Sequence, residues 1–99
     1  MNIDEFDWLQ QWYQSQCDGD WEHEYGINIE TIDNPGWHVT INLAGTEQEN
    51  ISFESMNVEN GPNNWLFCSV RDNTFDGACD PMKLVEIIRV FKNWVLLTK

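Results

Sequence analysis

The chain has 99 residues, the usual size of one compact domain, so we expect a single domain over residues 1–99. Hydrophobic residues make up 41% of it and aromatic residues 13%, a composition that excludes an intrinsically disordered protein. The formal net charge of -12 repels phosphate backbones and anionic lipids, so we expect neither nucleic acid nor a membrane as partner.

The same negative charge has two interpretations. It would attract a basic protein and raise the rate of association, an effect that salt should weaken. It would equally keep the protein soluble without any role in binding. The N-terminal MNIDEFDWLQ lacks the basic and apolar regions of a secretory signal, and no segment is long enough to span a membrane, so we expect a cytoplasmic protein.

The three cysteines, Cys17, Cys68 and Cys79, form no CxxC pair. An odd number of cysteines without such pairs favours reduced thiols over a disulfide framework. Cys68 alternates with Leu66 and Val70, so we expect it in the core.

The N-terminal segment predicts a helix over Asp4–Gln16. Its apolar residues recur at helical spacing, and acidic residues occupy the first turn, where the helix dipole favours negative charge. The helix should end near Cys17–Asp20, where Gly19 can adopt the left-handed conformation that closes many helices.

Four strands follow in the prediction. Residues 27–33 and 37–43 should pair as a hairpin, with Asn34-Pro35-Gly36 as a type II turn in which Gly36 has a positive φ. A third strand is predicted over residues 51–58 and a fourth over 65–71, in an antiparallel meander. The fourth strand is apolar on both faces, so it is either covered twice or contributes to a binding surface.

A C-terminal helix is predicted after Asp80, with Asp80 as its N-cap and Pro81 at its first position. Its apolar stripe should pack on the sheet. The predicted fold is α+β, a four-stranded antiparallel sheet flanked by an N-terminal and a C-terminal helix. The stripe comprises Leu84, Ile87, Ile88, Phe91, Trp94 and Val95.

The densest group of reactive side chains runs from Cys17 to Glu24. It fails the calcium-loop pattern, which would need glycine at His23 and glutamate at Ile29. The paired ligands of zinc sites and the common nucleotide-binding and hydrolase signatures are also missing. We therefore predict no metal, no cofactor and no catalysis, although a small metal- or ligand-binding enzyme using Cys17 and His23 stays as the alternative.

The six tryptophans divide by their phase along the predicted elements. Trp12, Trp37 and Trp94 lie on core-facing stripes. The remaining ones are harder to bury, and an aromatic ring beside carboxylates makes a good anchor for a basic partner. These are Trp8, Trp21 and Trp65.

Two short segments resemble the immunity protein 53 family of small bacterial immunity proteins. They are Cys17-Asp18-Gly19-Asp20-Trp21-Glu22-His23 and Asp33-Asn34-Pro35-Gly36-Trp37, and the likeness is densest over residues 8–46. The resemblance implies a non-enzymatic protein, encoded beside a polymorphic toxin, that protects the producing cell by binding the toxin domain.

Many such toxins are basic nucleases, and an acidic inhibitor can place carboxylates where phosphates would bind. The predicted contacts with the toxin are four carboxylates and one aromatic anchor. A structural subunit of another assembly is a third possibility, and the oligomeric state is left open. The predicted toxin-binding residues are Asp18, Asp20, Trp21, Glu22 and Glu24.

Overall fold

The computed structural model describes residues 4–98. Over this range the helices and strands are numbered separately in chain order, and no helix is long and apolar enough to cross a membrane. The elements are α1 (Glu5–Gln16), α2 (Trp21–Glu24), β1 (Ile27–Ile32), β2 (Gly36–Asn42), β3 (Met56–Glu59), β4 (Trp65–Arg71), β5 (Thr74–Cys79) and α3 (Leu84–Leu97).

Helix α1 confirms the predicted N-terminal helix. The Asp4 carboxylate accepts a hydrogen bond of 2.7 Å from the amide of Phe6, which satisfies one of the free donors at the helix start. Leu9 and Trp12 are buried on the inner side of the helix. The chain becomes extended at Cys17, so the helix ends where the sequence predicts.

The five strands form one antiparallel sheet in the order β1-β2-β5-β4-β3. The α+β class is confirmed, but the predicted number of four strands is wrong because β5 was missed. Asp76 and Gly77 lie in its middle, and both residue types are rare in strands. The predicted meander is also wrong, since β2 pairs with β5 and not with β3.

The predicted third strand, residues 51–58, is shorter and later than expected, because β3 covers only Met56–Glu59. Of the apolar residues before β3, Phe53 packs against the core without strand pairing, while Ile51 is exposed. The ring of Phe53 lies 5.3 Å from that of Trp94 and 5.7 Å from that of Phe75, and the Trp94 indole donates to the Ser52 carbonyl at 3.0 Å. The apolar run therefore marks a largely exposed loop that is held to the core through Phe53 and the bond from Trp94 to Ser52.

The predicted β1-β2 hairpin is confirmed, with Ile27 opposite Ile41 and Ile32 opposite Gly36. The predicted type II turn is wrong. Gly36 has no positive φ and is the first residue of β2, and the Asn34–Pro35 peptide bond is cis. A side chain on Gly36 would collide with the carbonyl oxygen of Cys79 on β5, so close strand packing explains this glycine.

Helices α1 and α3 cover one face of the sheet, and the predicted apolar stripe of α3 lies in the core. Phe91 of α3 is fully buried, with its ring 5.0 Å from that of Trp12 of α1 and 5.1 Å from that of Phe75 of β5. A Cβ on Gly77 would come within 2.8 Å of Ile87, so the glycine allows α3 to approach β5 closely.

The other face of the sheet carries no helix within residues 4–98, and we call it the open face. Its side chains alternate along each strand with those of the helix-covered face. The central residues of the open face are Glu30 of β1, His38 and Thr40 of β2, Asp76 and Ala78 of β5, Trp65, Phe67 and Ser69 of β4, and Glu59 of β3.

Helix α3 begins at Leu84, later than the predicted N-cap Asp80 and first position Pro81. Asp80 is fully buried and instead joins the ends of two strands to the chain before α3. Its carboxylate accepts hydrogen bonds from the amides of Trp65 and Met82, both at 2.9 Å. It also forms an ion pair of 2.6 Å with Lys83. The bond from Lys83 is the main reason that the pKa of Asp80 is lowered.

All three cysteines are free, and Cys68 is buried as predicted. Burial raises the pKa of the Cys68 thiol to about 12 and that of the Cys79 thiol to about 11. Both thiols are therefore protonated near neutral pH and behave as small apolar core groups.

Candidate functional site

The motif CDGDWEH and the next two residues, 17–25, form a compact turn around α2, which we call the α2 segment. The Asp18 carboxylate accepts from the amides of Asp20 at 2.9 Å and Trp21 at 3.0 Å. The Glu22 carboxylate accepts from the amides of Asp18 at 2.9 Å and Gly19 at 2.8 Å. The two acidic side chains thus hold the backbone of the turn together.

These hydrogen bonds lower the pKa of both carboxyl groups. For Asp18 the main cause is the amide of Trp21, followed by that of Asp20. For Glu22 the main cause is its own amide, with further contributions from the amides of Asp18 and Gly19. Backbone donors favour the ionised form of a carboxyl group, so both groups stay charged while they support the turn.

Trp21 belongs to the core, since only 6% of it is exposed. Its indole nitrogen donates to the Ala44 carbonyl at 2.8 Å, and its ring lies 6.1 Å from that of Trp12 and 5.9 Å from that of Tyr13. The expectation that Trp21 is hard to bury is wrong, because Trp21 lies in α2, a separate short helix outside the predicted elements. Its predicted role as an anchor for a partner stays a prediction.

Like Asp18, Asp20 and Glu24 are exposed acidic residues of the α2 segment. Within residues 4–98 neither side chain accepts a hydrogen bond, so both carboxylates face solvent without a partner. Of the predicted toxin-binding residues, these two are therefore placed to meet another protein without disturbing the turn.

The Cys17 thiol donates to the carbonyl of Tyr13 at 3.3 Å, which is a common contact at a helix end. Among residues 4–98, no hydrogen bond joins Cys17 to His23. No group of three histidine, cysteine or acidic side chains in this part of the chain could hold a metal ion. The described residues therefore form no catalytic or metal-binding arrangement around Cys17 and His23.

The open face places an imidazole between two carboxylates. His38 of β2 is hydrogen bonded through Nδ1 to Glu30 of β1 and through Nε2 to Asp76 of β5, each at 3.0 Å. The bond to Glu30 is the main reason that the pKa of His38 is raised, and Asp76 adds to it. About half of each carboxylate side chain stays exposed, so both remain accessible to a partner.

An aromatic pair lies on the same face beside this cluster. The rings of Trp65 and Phe67 on β4 have their centroids 5.5 Å apart. They line a shallow groove of about 620 Å³, which we call the aromatic groove. Its other lining residues are Asn34, Glu59, Gly61 and Pro62.

Charge is distributed very unevenly along the chain. The first 70 residues contain no lysine or arginine, so their carboxylates have no basic neighbour in sequence. Of the bases further along, Lys83 pairs with buried Asp80, while Arg89 and Lys92 reach Glu5 of α1 at 3.5 and 3.7 Å. Arg89 and Lys92 therefore link α3 to α1 and Lys83 neutralises Asp80, so most exposed carboxylates of the described residues have no basic partner.

Comparison with known families identifies the chain. The family model for Immunity protein 53 matches residues 6–96, nearly the whole sequence. The chain belongs to the Immunity protein 53 family. No curated protein and no solved structure gives a significant match. The family resemblance inferred from the two short motifs is confirmed, and the match extends well beyond residues 8–46.

Membership in the Immunity protein 53 family supports an immunity role in general, and with it a toxin as partner. It leaves open which surface meets that toxin. The structure offers two acidic candidates, the α2 segment and the open face. Sequence reasoning singled out only the first of them, apart from noting that the fourth strand is apolar on both faces.

The cluster around His38 was missed because its members lie far apart in the chain. The imidazole contacts residues that are 8 and 38 positions away. The alternation of Trp65 and Phe67 with Leu66 and Cys68 was the available signal for the aromatic groove. Only the strand order shows that these features share one face.

Proposed function

We propose that this Immunity protein 53 family member neutralises its cognate toxin domain by binding it, and that the toxin presents a basic surface, as a nuclease does. The observation that carries the proposal is the family match over residues 6–96 together with the absence of lysine and arginine from the first 70 residues. A partner that binds such an acidic protein would carry a basic binding surface.

An acidic inhibitor can act on a nuclease by occupying the surface that binds nucleic acid. Its carboxylates replace phosphates as partners of the lysine and arginine side chains of the toxin. Its net charge of -12 also raises the rate at which the two proteins meet. Fast association suits this role, because the toxin must be captured before it reaches its substrate. A cytoplasmic location is part of the same proposal.

The α2 segment contributes to this proposal in two ways. Asp20 and Glu24 supply exposed charge for steering and contact. Asp18 and Glu22 add charge while their hydrogen bonds hold the turn, and Trp21 anchors the segment to the core. We keep all five as residues whose substitution should alter toxin binding, directly or through the shape of the turn.

The proposal is tested by co-expression with the toxin domain encoded beside the gene. We expect a complex that co-purifies at about 50 mM salt, with an association rate constant that falls at least about tenfold towards 500 mM. The complex should also suppress cleavage of nucleic acid by the toxin domain. Absence of a complex at low salt would refute the binding function.

The nuclease class is tested separately in the same preparation. A toxin domain that forms the complex but cleaves neither DNA nor RNA when free would leave the immunity role intact and remove the nuclease assignment. A toxin domain whose binding is insensitive to salt would remove the proposed basic surface. Elemental analysis of the free protein checks the enzyme alternative, which no specific observation on the described residues favours.

A further inference from the structure

The aromatic groove is rigidly built. The Trp65 amide donates to the buried Asp80 carboxylate at 2.9 Å, and its indole nitrogen donates to the Pro62 carbonyl at 3.2 Å. The indole ring also lies against Gly36, where an added Cβ would be 3.1 Å from it. The ring is therefore fixed in the free protein, which reduces the entropy lost when a partner binds.

One carboxylate borders these two rings, and two more lie further across the open face. Glu59 of β3 lies directly opposite Trp65 in the sheet and lines the groove. Glu30 and Asp76 stand beside His38, which shares a row across the sheet with Ala78 and Phe67. The one arginine of the described open face, Arg71, lies at the far end of β4.

An aromatic face next to a carboxylate is a suitable environment for a guanidinium or ammonium group. The cation is attracted to the ring face within about 6 Å of the centroid, and the carboxylate accepts its hydrogen bonds. Tryptophan and arginine are also the residues on which the affinity of protein interfaces most often depends. The groove thus has the shape and charge to receive one basic side chain.

We infer that the open face is the surface on which the toxin docks, with an arginine or lysine side chain of the toxin stacked on Trp65 and Phe67 and paired with Glu59. This inference rests on the proposed function and assigns its central contact. Glu30 and Asp76 then contact further basic groups of the toxin, while Asp20 and Glu24 of the α2 segment act mainly through long-range attraction.

The charge of the protein argues against a second copy as the occupant of this face. Two copies would each bring a net charge of -12 to the interface, and the carboxylates of one open face would meet those of the other. A basic partner turns the same carboxylates into attractive contacts. Charge complementarity therefore favours the toxin over self-association.

The experiment measures the dissociation constant for the toxin domain encoded beside the gene, by calorimetry, for single variants of the groove. Trp65→Thr and Phe67→Thr remove one ring each and keep a residue suited to a strand. Glu59→Gln removes the charge at nearly constant shape. We expect each ring variant to weaken binding by about 30-fold or more and Glu59→Gln by about tenfold.

Two control variants stand on other surfaces. Glu86→Gln removes one exposed charge from α3, and Ile29→Thr removes an exposed apolar side chain from the helix-covered face of β1. We expect both to bind within about threefold of the wild type. Thermal unfolding shows whether each variant is folded. If Trp65→Thr does not fold, Phe67→Thr and Glu59→Gln test the docking surface.

The outcomes separate this inference from the proposed function. Weakened binding in the groove variants with intact controls supports the docking surface. Wild-type binding in the groove variants overturns the inference and leaves the immunity role standing, and a loss in Glu86→Gln or Ile29→Thr then identifies the surface used instead. Failure of the wild-type protein to bind the toxin domain overturns the proposed function itself.

Discussion

The α2 segment and the open face are both acidic, yet they are built in opposite ways. In the α2 segment, the hydrogen bonds join residues within four positions of each other. The Asp18 carboxylate accepts from the amide of Trp21, and the Glu22 carboxylate accepts from the amide of Gly19. On the open face, Glu30 and Asp76 meet at His38 only because three strands bring them together. The first surface is made locally and the second by the whole sheet.

This difference shows that a conspicuous sequence motif reports local structure and need not mark a contact surface. A dense local motif such as CDGDWEH is what a tight turn needs, because its hydrogen bonds must come from nearby residues. Side chains that meet a partner need only share a face of the sheet. They can be scattered along the chain and still form one surface.

The largest expected effect tests the structural role of the α2 segment. Trp21→Ala should lower the free energy of unfolding by about 3–5 kcal/mol, because it leaves a cavity against Trp12 and removes the bond to Ala44. Phe67→Thr on the open face should lower it by less than about 2 kcal/mol. Urea unfolding followed by fluorescence gives both values, and equal losses would erase the contrast between the two regions.

A smaller effect separates the two aspartates within the α2 segment. Asp18→Ala should lower the urea concentration at the midpoint of unfolding, because the amides of Asp20 and Trp21 lose their acceptor. Asp20→Ala should stay within about 0.5 kcal/mol, since its carboxylate makes no hydrogen bond within residues 4–98. Urea unfolding of both variants tests this difference. A loss of stability in Asp20→Ala as large as that in Asp18→Ala would contradict the structural role assigned to Asp18 alone.

The smallest effect concerns pH and the open face. Since the folded protein raises the pKa of His38 above 6.5, the protonated imidazole stabilises the fold through Glu30 and Asp76. That contribution is complete below about pH 6.5 and disappears as the pH rises through the raised pKa. The stability difference between wild type and His38→Gln should therefore shrink at higher pH, by less than about 1 kcal/mol.

A titration of His38 by NMR provides the matching control for that measurement. Its pKa should fall towards 6.5 in the double variant Glu30→Gln, Asp76→Asn. A His38 pKa unchanged by that substitution would show that the carboxylates do not hold the imidazole charged. The open face would then lack the ionic network that the comparison with the α2 segment depends on.

The local elements were predictable because their signals are local. The spacing of Leu9 and Trp12 indicates α1, and the alternation of Val39 and Ile41 indicates β2. The core positions of Cys68, Trp12 and Trp94 follow from the same patterns and are confirmed. The family resemblance also depended on short contiguous motifs.

The remaining features depend on tertiary packing. Strand β5 was missed because Asp76 faces the open side and Gly77 makes room for Ile87, so neither residue shows ordinary strand character. The role of Asp80 was not predicted, because its carboxylate caps no helix and instead accepts from the amides of Met82 in a local turn and of Trp65 on a distant strand. The open face could not be predicted without the strand order that these residues create.

The central place of β5 has a consequence for biosynthesis. The β1-β2 and β3-β4 hairpins pair with each other in the sheet only through residues 74–79, which the ribosome makes after both hairpins. Pairings between distant residues form late and slowly. We therefore expect an emerging chain to lack a continuous open face until β5 has left the ribosome, so that stalled or truncated chains ending before residue 79 confer no protection.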